Sequence, residues 1–117
     1  MDTLKYFLSI DIPILELFGM SETTGPHSMS YFGDGFKLGS VGKTLSGHKT
    51  RISDPDSKGE GEILMWGRNI MMGYLNREDK TSEDLTLDGW MKSGDQGILD
   101  EEGFLYITGL TKICRFS

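Results

Sequence analysis

The chain has 117 residues, a formal net charge of −6 at pH 7 and a single cysteine. The acidic balance argues against nucleic-acid binding through phosphate neutralisation, but it allows nucleotides, which need only a few local donors or a metal. One cysteine excludes an intramolecular disulfide framework, and no apolar run approaches the roughly 20 residues of a spanning helix. We therefore expect a soluble, cytoplasmic protein with no transmembrane segment.

The glycine content indicates short elements joined by tight turns. The chain contains 16 glycines and no alanine, a composition that is poor in helix interiors and rich in turn residues. At the N-terminus, Leu4, Phe7 and Leu8 fall on one helical face, and Pro13 ends the pattern. We predict a mainly β protein with a few helices (α+β).

The remaining elements follow from alternating apolar residues and turn signals. A helix is predicted over 77–84, with Asn76 as its N-cap and Asp79 at the capping-box position. A hairpin is predicted around Asp100-Glu101-Glu102-Gly103, and Ser93-Gly94-Asp95 is predicted to be a polar turn at the end of a short strand. The predicted strands are 14–18, 48–53, 62–66, 96–99 and 104–108. The predicted core residues are Ile63, Leu64, Trp66, Leu99, Phe104, Leu105 and Ile107.

Three familiar ligand motifs fail on inspection. The stretch "GSVGKT" lacks the first glycine of a phosphate loop, since Lys37 stands there. The stretch "DPDSKGEGE" has Lys58 and Met65 where a calcium loop needs oxygen ligands, so an acidic hairpin turn is the better interpretation. His27 and His48 lack metal-ligand spacing.

Two polar turns remain as candidate sites. Ser21-Glu22-Thr23-Thr24 follows an apolar strand, where a glutamate could hold Mg²⁺ while hydroxyl and backbone N–H groups meet phosphate oxygens. In Ser93-Gly94-Asp95, a carboxylate on a tight turn could accept two hydrogen bonds from a ribose diol. Helix capping or an ordinary turn remains an alternative for each of them.

The order of these stretches resembles a known family. "LFGMSETTGP", "GSVGKTLSG", "GEGEILMWGRNIMMGYLNRED" and "DGWMKSGDQGILDEEGFLYITGLTK" look like consecutive motifs of the AMP-forming acyl-CoA synthetases, within the adenylate-forming superfamily. The phrasing is most similar to the bubblegum-type long-chain and very-long-chain fatty acyl-CoA ligases. The resemblance runs from about residue 4 to Lys112.

The resemblance implies the end of the large N-terminal domain of the adenylate-forming fold, including its distorted β-barrel subdomain. Residues 1–40 would end the nucleotide-binding α/β subdomain, 41–109 would form the barrel-like subdomain, and 110–117 would be the hinge and a divergent tail. Lys112 falls at the family's hinge. Leu110 replaces the arginine often found after the preceding glycine, and from Ile113 the sequence departs from the family pattern.

The resemblance also assigns roles to individual residues. Phe18 would pack by the adenine ring, and Ser21 would lie near the phosphates. Glu22 would bind Mg²⁺, and Asp95 would hold both ribose hydroxyls. The remaining nucleotide-binding positions, which would line the adenine and acyl pockets, are Gly19 and Met20.

The implied reaction converts a fatty acid, ATP and CoA into acyl-CoA, AMP and diphosphate through an acyl-adenylate. Family members run to several hundred residues, so we expect a truncated form that is not catalytic alone. Two alternatives are a non-catalytic interaction module or regulatory isoform that associates with the full-length ligase, and a poorly folded by-product. The family also implies peripheral attachment at the endoplasmic reticulum membrane.

Overall fold

The computed structural model describes residues 2–110, which form two antiparallel sheets and two helices. The helices are α1 (Asp2–Ser9) and α2 (Glu78–Asp84). The first sheet has the order β1-β2-β3 and consists of β1 (Leu17–Met20), β2 (Gly25–Met29) and β3 (Lys43–Thr44). The second has the order β4-β5-β6-β7 and consists of β4 (Lys49–Ser53), β5 (Gly61–Trp66), β6 (Met91–Leu99) and β7 (Leu105–Leu110). No helix within residues 2–110 is long and apolar enough to cross a bilayer.

The predicted fold class is confirmed, and β4, β5, β7 and α2 lie within two residues of their predicted positions. The strand predicted over 14–18 is wrong in its placement, because β1 begins only at Leu17, where pairing with Met29 of β2 begins. The strand predicted over 96–99 is too short, because β6 begins at Met91. The polar residues 93–95 interrupt the pairing of β6 with β5 but do not end β6.

The predicted cap of α2 is wrong. Asn76 has φ +56° and stands outside the helix, whose N-cap position is taken by Arg77 without any side-chain cap. The carboxylate of Asp79 pairs with the Arg77 guanidinium at 3.1 Å and 3.2 Å, while the Arg77 backbone N–H donates to the Tyr74 carbonyl. The local ion pair has replaced the capping box.

The core lies on one face of the second sheet. Its buried cluster is Ile63, Met65, Met91 and Leu105. Leu64 and Phe104 are also buried, as predicted, whereas Trp66 and Leu99 are half-buried. The prediction for Ile107 is wrong, since its side chain is 38% exposed. Ile107 lies on an edge strand opposite Gly97, which offers no side chain to pack against.

Both predicted hairpin turns are present and are held by aspartates. The carboxylate of Asp100 accepts backbone N–H groups from Glu102 and Phe104, and Gly103 has the positive φ that this turn needs. In the β4–β5 turn, the carboxylate of Asp56 accepts the N–H groups of Lys58 and Glu60. The acidic stretch that resembled a calcium loop is thus a turn.

The two sheets meet at Gly42. Its carbonyl accepts the Leu105 N–H at 3.0 Å, while the Val41 N–H donates to the Leu105 carbonyl at 2.8 Å. Gly42 has φ +81°, and a Cβ there would collide with the backbone of Met29. β3 follows directly after Gly42 and pairs with β2, so the first sheet extends across the expected domain boundary at 40/41. That domain division stays a prediction.

His27 is a buried histidine in β2. Its Nε2 lies 2.8 Å from the Thr50 hydroxyl, and its ring meets the His48 ring edge-on at 5.7 Å. Burial, followed by the charge of His48, lowers the pKa of His27 to about 4. His27 is therefore neutral at physiological pH and serves as a hydrogen-bonded link between the two sheets.

The buried His27 predicts a loss of stability in acid. The unfolded chain binds a proton near the ordinary pKa of 6.5, whereas the folded chain binds it only near 4. The free energy of unfolding should therefore fall between those values by about 3 kcal/mol in total. Urea unfolding of the wild type and of His27→Gln across this pH range measures the difference. Identical pH profiles for the two proteins would contradict the assignment.

The different burial of Leu105 and Ile107 predicts unequal losses of stability when these two β7 residues are replaced. Leu105→Ala should lower the free energy of unfolding by about 2–5 kcal/mol, because it opens a cavity in a close-packed cluster. Ile107→Ala should cost less than about 2 kcal/mol, since that side chain is already partly in water. Urea unfolding of both variants checks this order, and a larger loss for Ile107→Ala would contradict it.

Candidate functional site

The polar turn after β1 is a single 3₁₀ turn, Ser21–Thr23, followed by Thr24 with φ +61°. The buried Thr23 hydroxyl fixes this turn: it accepts the Met20 N–H at 3.0 Å and lies within 2.9 Å of the Met20 and Gly25 carbonyls. Ser21 and Thr24 are exposed, and Glu22 is half-buried. The buried threonine thus holds the turn while its neighbours face outward.

A distant segment fastens the same turn. The Thr24 hydroxyl donates to the Asn69 carbonyl at 2.7 Å, and the Asn69 side-chain amide donates to the Thr23 carbonyl. The Met71 N–H donates to the Glu22 carbonyl at 2.9 Å. Three successive residues of the turn are therefore bonded to a segment that lies more than 40 residues later in the chain.

The Glu22 carboxylate has a defined environment. Its Oε2 accepts the Tyr74 hydroxyl at 2.8 Å, and that hydroxyl also lies 3.1 Å from Oδ2 of Asp84. Lys80 pairs with the same Asp84 oxygen at 3.3 Å. Burial, and then the hydrogen bond to Glu22, raise the pKa of Tyr74 above its ordinary value. Tyr74 therefore stays protonated at neutral pH and donates.

The three residues before this turn have contrasting positions. Phe18 and Met20 are half-buried and pack against the core cluster, whereas Gly19 is exposed. A Cβ at Gly19 would collide with the carbonyl of Gly25 on the neighbouring strand. The backbones of β1 and β2 can approach this closely because residue 19 has no side chain.

Asp95 lies on a bulge of β6 and not on the predicted turn. Ser93, Gly94 and Asp95 together face only Ile63 of β5, and Gly94 has φ +79°. The Ser93 hydroxyl accepts the Asp95 N–H at 3.0 Å, and the Glu62 carboxylate accepts the Gly94 N–H at 3.0 Å. A bulge of this kind re-aims one side chain within a continuing strand.

The Asp95 carboxylate is half-buried, and no side chain within residues 2–110 hydrogen-bonds to it. Burial, followed by the negative charge of Glu62, raises the pKa of Asp95. A desolvated carboxylate without an internal donor can accept bonds from a ligand diol. Sequence reasoning missed Glu62; its only signal was an acid in an otherwise apolar strand.

The structure therefore presents two separate candidate groups: the turn with Glu22 on the first sheet, and Asp95 on the second. No hydrogen bond or ion pair within residues 2–110 joins Glu22 and Asp95, and the predicted hinge residue Lys112 lies outside the described residues. Across residues 2–110 there is no cluster of three or more His, Cys, Asp or Glu side chains that could hold a metal. A cation at Glu22 would need oxygens from a ligand or water, as is usual for Mg²⁺.

An open cleft of about 490 Å³ lies beside residues 69–71, the segment that is hydrogen-bonded to the turn. Its lining includes Ile70, Met71, Met72, Leu85 and Leu87. Of these, Met72 is 99% exposed and Leu87 is fully exposed. The cleft is therefore an open surface groove of mixed polarity, and its lining residue Met71 donates its backbone N–H to the Glu22 carbonyl.

Comparison with known proteins gives a consistent result. Residues 2–75 match the family model described as AMP-binding enzyme. Over 111 residues, the chain is 60% identical to the long-chain-fatty-acid–CoA ligase ACSBG2 of Xenopus laevis and 49% identical to ACSBG2 of Homo sapiens. These alignments cover 95% of this chain but only 15% and 16% of the relatives, so the chain spans about a sixth of their length.

Solved structures show the same fold. O-succinylbenzoate coenzyme A synthetase (MenE) from Bacillus subtilis in complex with AMP is 33% identical, with a TM-score of 0.80 over 94% of this chain and 30% of that one. The same enzyme with ATP and magnesium ion is 33% identical, with a TM-score of 0.78 over 94% of this chain and 24% of that one. These likenesses confirm the fold class that the motifs predicted.

The bulge predicts a coupling between Glu62 and Asp95. Glu62→Gln removes the charge yet keeps an oxygen to accept the Gly94 N–H, so the pKa of Asp95 should fall. In the wild type, the folded chain retains a proton on Asp95 at pH values where the unfolded chain has released it. The free energy of unfolding therefore falls as pH rises from 3.8 through the raised pKa of Asp95. Glu62→Gln should narrow the pH range over which this loss occurs.

Carboxyl ¹³C shifts followed across pH measure the pKa of Asp95 directly. The matched control is Glu101→Gln, which removes the same charge at the exposed β6–β7 turn. The pKa of Asp95 in this control should equal that in the wild type. An unchanged Asp95 pKa in Glu62→Gln would contradict the coupling.

Proposed function

This chain belongs to the AMP-binding enzyme family, as its motifs predicted, and we propose that it supplies part of the nucleotide site of an ATP-dependent long-chain fatty acyl-CoA ligase. In that reaction a fatty acid carboxylate oxygen attacks the α-phosphorus of ATP and releases diphosphate. The CoA thiol then attacks the acyl carbonyl and releases AMP. No protein nucleophile is needed, so positioning and charge neutralisation carry the catalysis.

The observation that carries the proposal is the fastened turn at the end of β1. It holds a half-buried carboxylate, Glu22, between two exposed hydroxyl residues, Ser21 and Thr24. In the proposed site Ser21 lies near the phosphates, and Phe18, Gly19 and Met20 border the adenine and acyl groups. Support comes from the 33% identity to a synthetase whose structures contain AMP, or ATP and magnesium ion.

Glu22 suits the proposed Mg²⁺. Its Oε2 accepts the Tyr74 hydroxyl, while no hydrogen bond within residues 2–110 occupies its other carboxylate oxygen. Mg²⁺ prefers oxygen ligands and commonly binds one or two carboxylates together with substrate phosphates. The cation would neutralise phosphate charge, and Glu22 would orient it.

Asp95 is the proposed ribose ligand. Its carboxylate is half-buried, has no donor within the described part of the chain, and is aimed by the bulge that Glu62 and Gly94 stabilise. Two carboxylate oxygens can accept both hydroxyls of a ribose diol. Lys112 remains the proposed hinge of the family's domain movement.

Further parts of the proposal rest on the resemblance and on the relatives' printed activity. They are the use of CoA and a long-chain fatty acid, a role in lipid metabolism, and a cytoplasmic location with peripheral attachment at the endoplasmic reticulum. Association with the full-length ligase is a further proposal. It is supported by exposed apolar side chains near α1, among them Tyr6, Ile10 and Ile12. We propose that the isolated chain binds nucleotide weakly and does not complete the reaction.

Amide-resolved NMR with Mg·ATP tests the nucleotide site. Saturable shifts are expected at Ser21, Glu22 and Asp95 in the wild type. Asp95→Asn should weaken binding roughly 10- to 100-fold, the loss expected for hydrogen bonds to a charged acceptor. Asp34→Asn, which removes the same charge from an exposed loop, is the matched control.

Two results would contradict the proposal. One is the absence of saturable shifts at these amides in a folded wild-type chain. The other is equal weakening by Asp95→Asn and Asp34→Asn, which would indicate a general charge effect. Formation of AMP from ATP in the presence of fatty acid by this chain alone would overturn the proposed inactivity.

A further inference from the structure

Tyr74 joins the turn at Glu22 to helix α2, and the motif-based reading of the sequence gave it no role. Its hydroxyl lies 2.8 Å from Glu22 Oε2 and 3.1 Å from Asp84 Oδ2. Within residues 2–110 no other side chain hydrogen-bonds the Glu22 carboxylate. Among these residues, the Tyr74 hydroxyl is therefore the hydrogen-bond donor that constrains the direction of that carboxylate.

Tyr74 is itself held at both ends. Its backbone N–H donates to the Thr81 hydroxyl at 2.8 Å, and Thr81 in turn donates to the Arg77 carbonyl at the start of α2. Its phenolic oxygen lies near Asp84, at the end of the same helix. The ring is therefore anchored on α2 and reaches across to the turn after β1.

The charges around Tyr74 favour donation of its hydroxyl proton to Glu22 over Asp84. Asp84 is buried and paired with Lys80 at 3.3 Å, so its negative charge is partly neutralised. Glu22 has no ion pair within the described residues, and it is the nearer of the two acceptors. A single hydroxyl proton thus has the stronger acceptor in Glu22.

We infer that Tyr74 is a positioning residue for cation binding: its hydroxyl holds one oxygen of Glu22 so that the other faces a divalent cation bound with the nucleotide. This inference rests on the proposed function. Donors to the outer side of a metal-ligating carboxylate fix its orientation and commonly change metal affinity by about 10- to 100-fold.

The test separates cation binding from nucleotide binding. The full chain is titrated with ATP in EDTA and with Mg·ATP, and the ratio of the two dissociation constants gives the Mg²⁺ enhancement. In Tyr74→Phe the enhancement should fall roughly 10-fold, while affinity for ATP in EDTA stays unchanged. Glu22→Gln should abolish the enhancement. Tyr106→Phe, which removes another hydroxyl beside an aspartate, Asp100, should leave it intact.

The outcomes distinguish the two claims. A wild-type enhancement that survives Tyr74→Phe overturns the inference and leaves the proposed function standing. No enhancement in the wild type overturns both. Equal losses with and without Mg²⁺ in Tyr74→Phe would show a merely structural role and would overturn the inference.

A second measurement needs no substitution at Tyr74. The chain labelled with 3-fluorotyrosine carries four ¹⁹F signals, and the Tyr74 signal is assigned by eliminating those lost in Tyr6→Phe, Tyr31→Phe and Tyr106→Phe. That signal should move with Mg·ATP and remain in place with ATP in EDTA. The same response to both ligands would overturn the inference.

Discussion

The arrangement of the candidate site depends on the hydrogen bonds that fasten residues 22–24 to the segment from Asn69 to Tyr74. A short turn with one residue at positive φ has few contacts of its own, and the entropy of ordering it opposes its formation. The Met71 N–H and the Asn69 side-chain amide donate to main-chain carbonyls of the turn, and the Tyr74 hydroxyl holds the Glu22 side chain. Hydrogen bonds from a segment remote in sequence therefore hold the turn in place.

The same physical logic operates at Asp95. A glycine with positive φ lets β6 bulge, and an acid on the neighbouring strand accepts the N–H group that the bulge releases. Burial, and then the Glu62 charge that stabilises the bulge, raise the pKa of Asp95. Both candidate groups thus consist of a carboxylate whose direction is fixed by a residue distant in sequence, a form of preorganisation that suits binding of a charged ligand.

Local patterns gave the predictions that succeeded. The hairpin at Asp100–Gly103 and the turn at Asp56 follow from turn residues whose side chains bond to their own backbone. Alternation also placed Ile63 and Leu105 in the core. The oxygen-rich run after the apolar strand indicated Ser21 and Glu22 as candidates because it is contiguous in sequence, and their binding roles stay predictions.

The failures came from interactions across long separations or between competing local bonds. Tyr74 lies 52 residues after Glu22, and Glu62 lies 32 residues before Gly94, so no window of sequence contains either pair. Ile107 fits the alternation of a buried residue, yet its cross-strand neighbour is a glycine.

The most direct test of this account is amide hydrogen exchange at Met71, whose N–H bonds to the Glu22 carbonyl. The adjacent residue Met72 is 99% exposed and provides the reference. The account predicts that Met71 exchanges as slowly as the β5 amides and much more slowly than Met72, because opening it requires releasing the turn. Equal, fast exchange at Met71 and Met72 would show that the turn is not fastened, and would contradict the account.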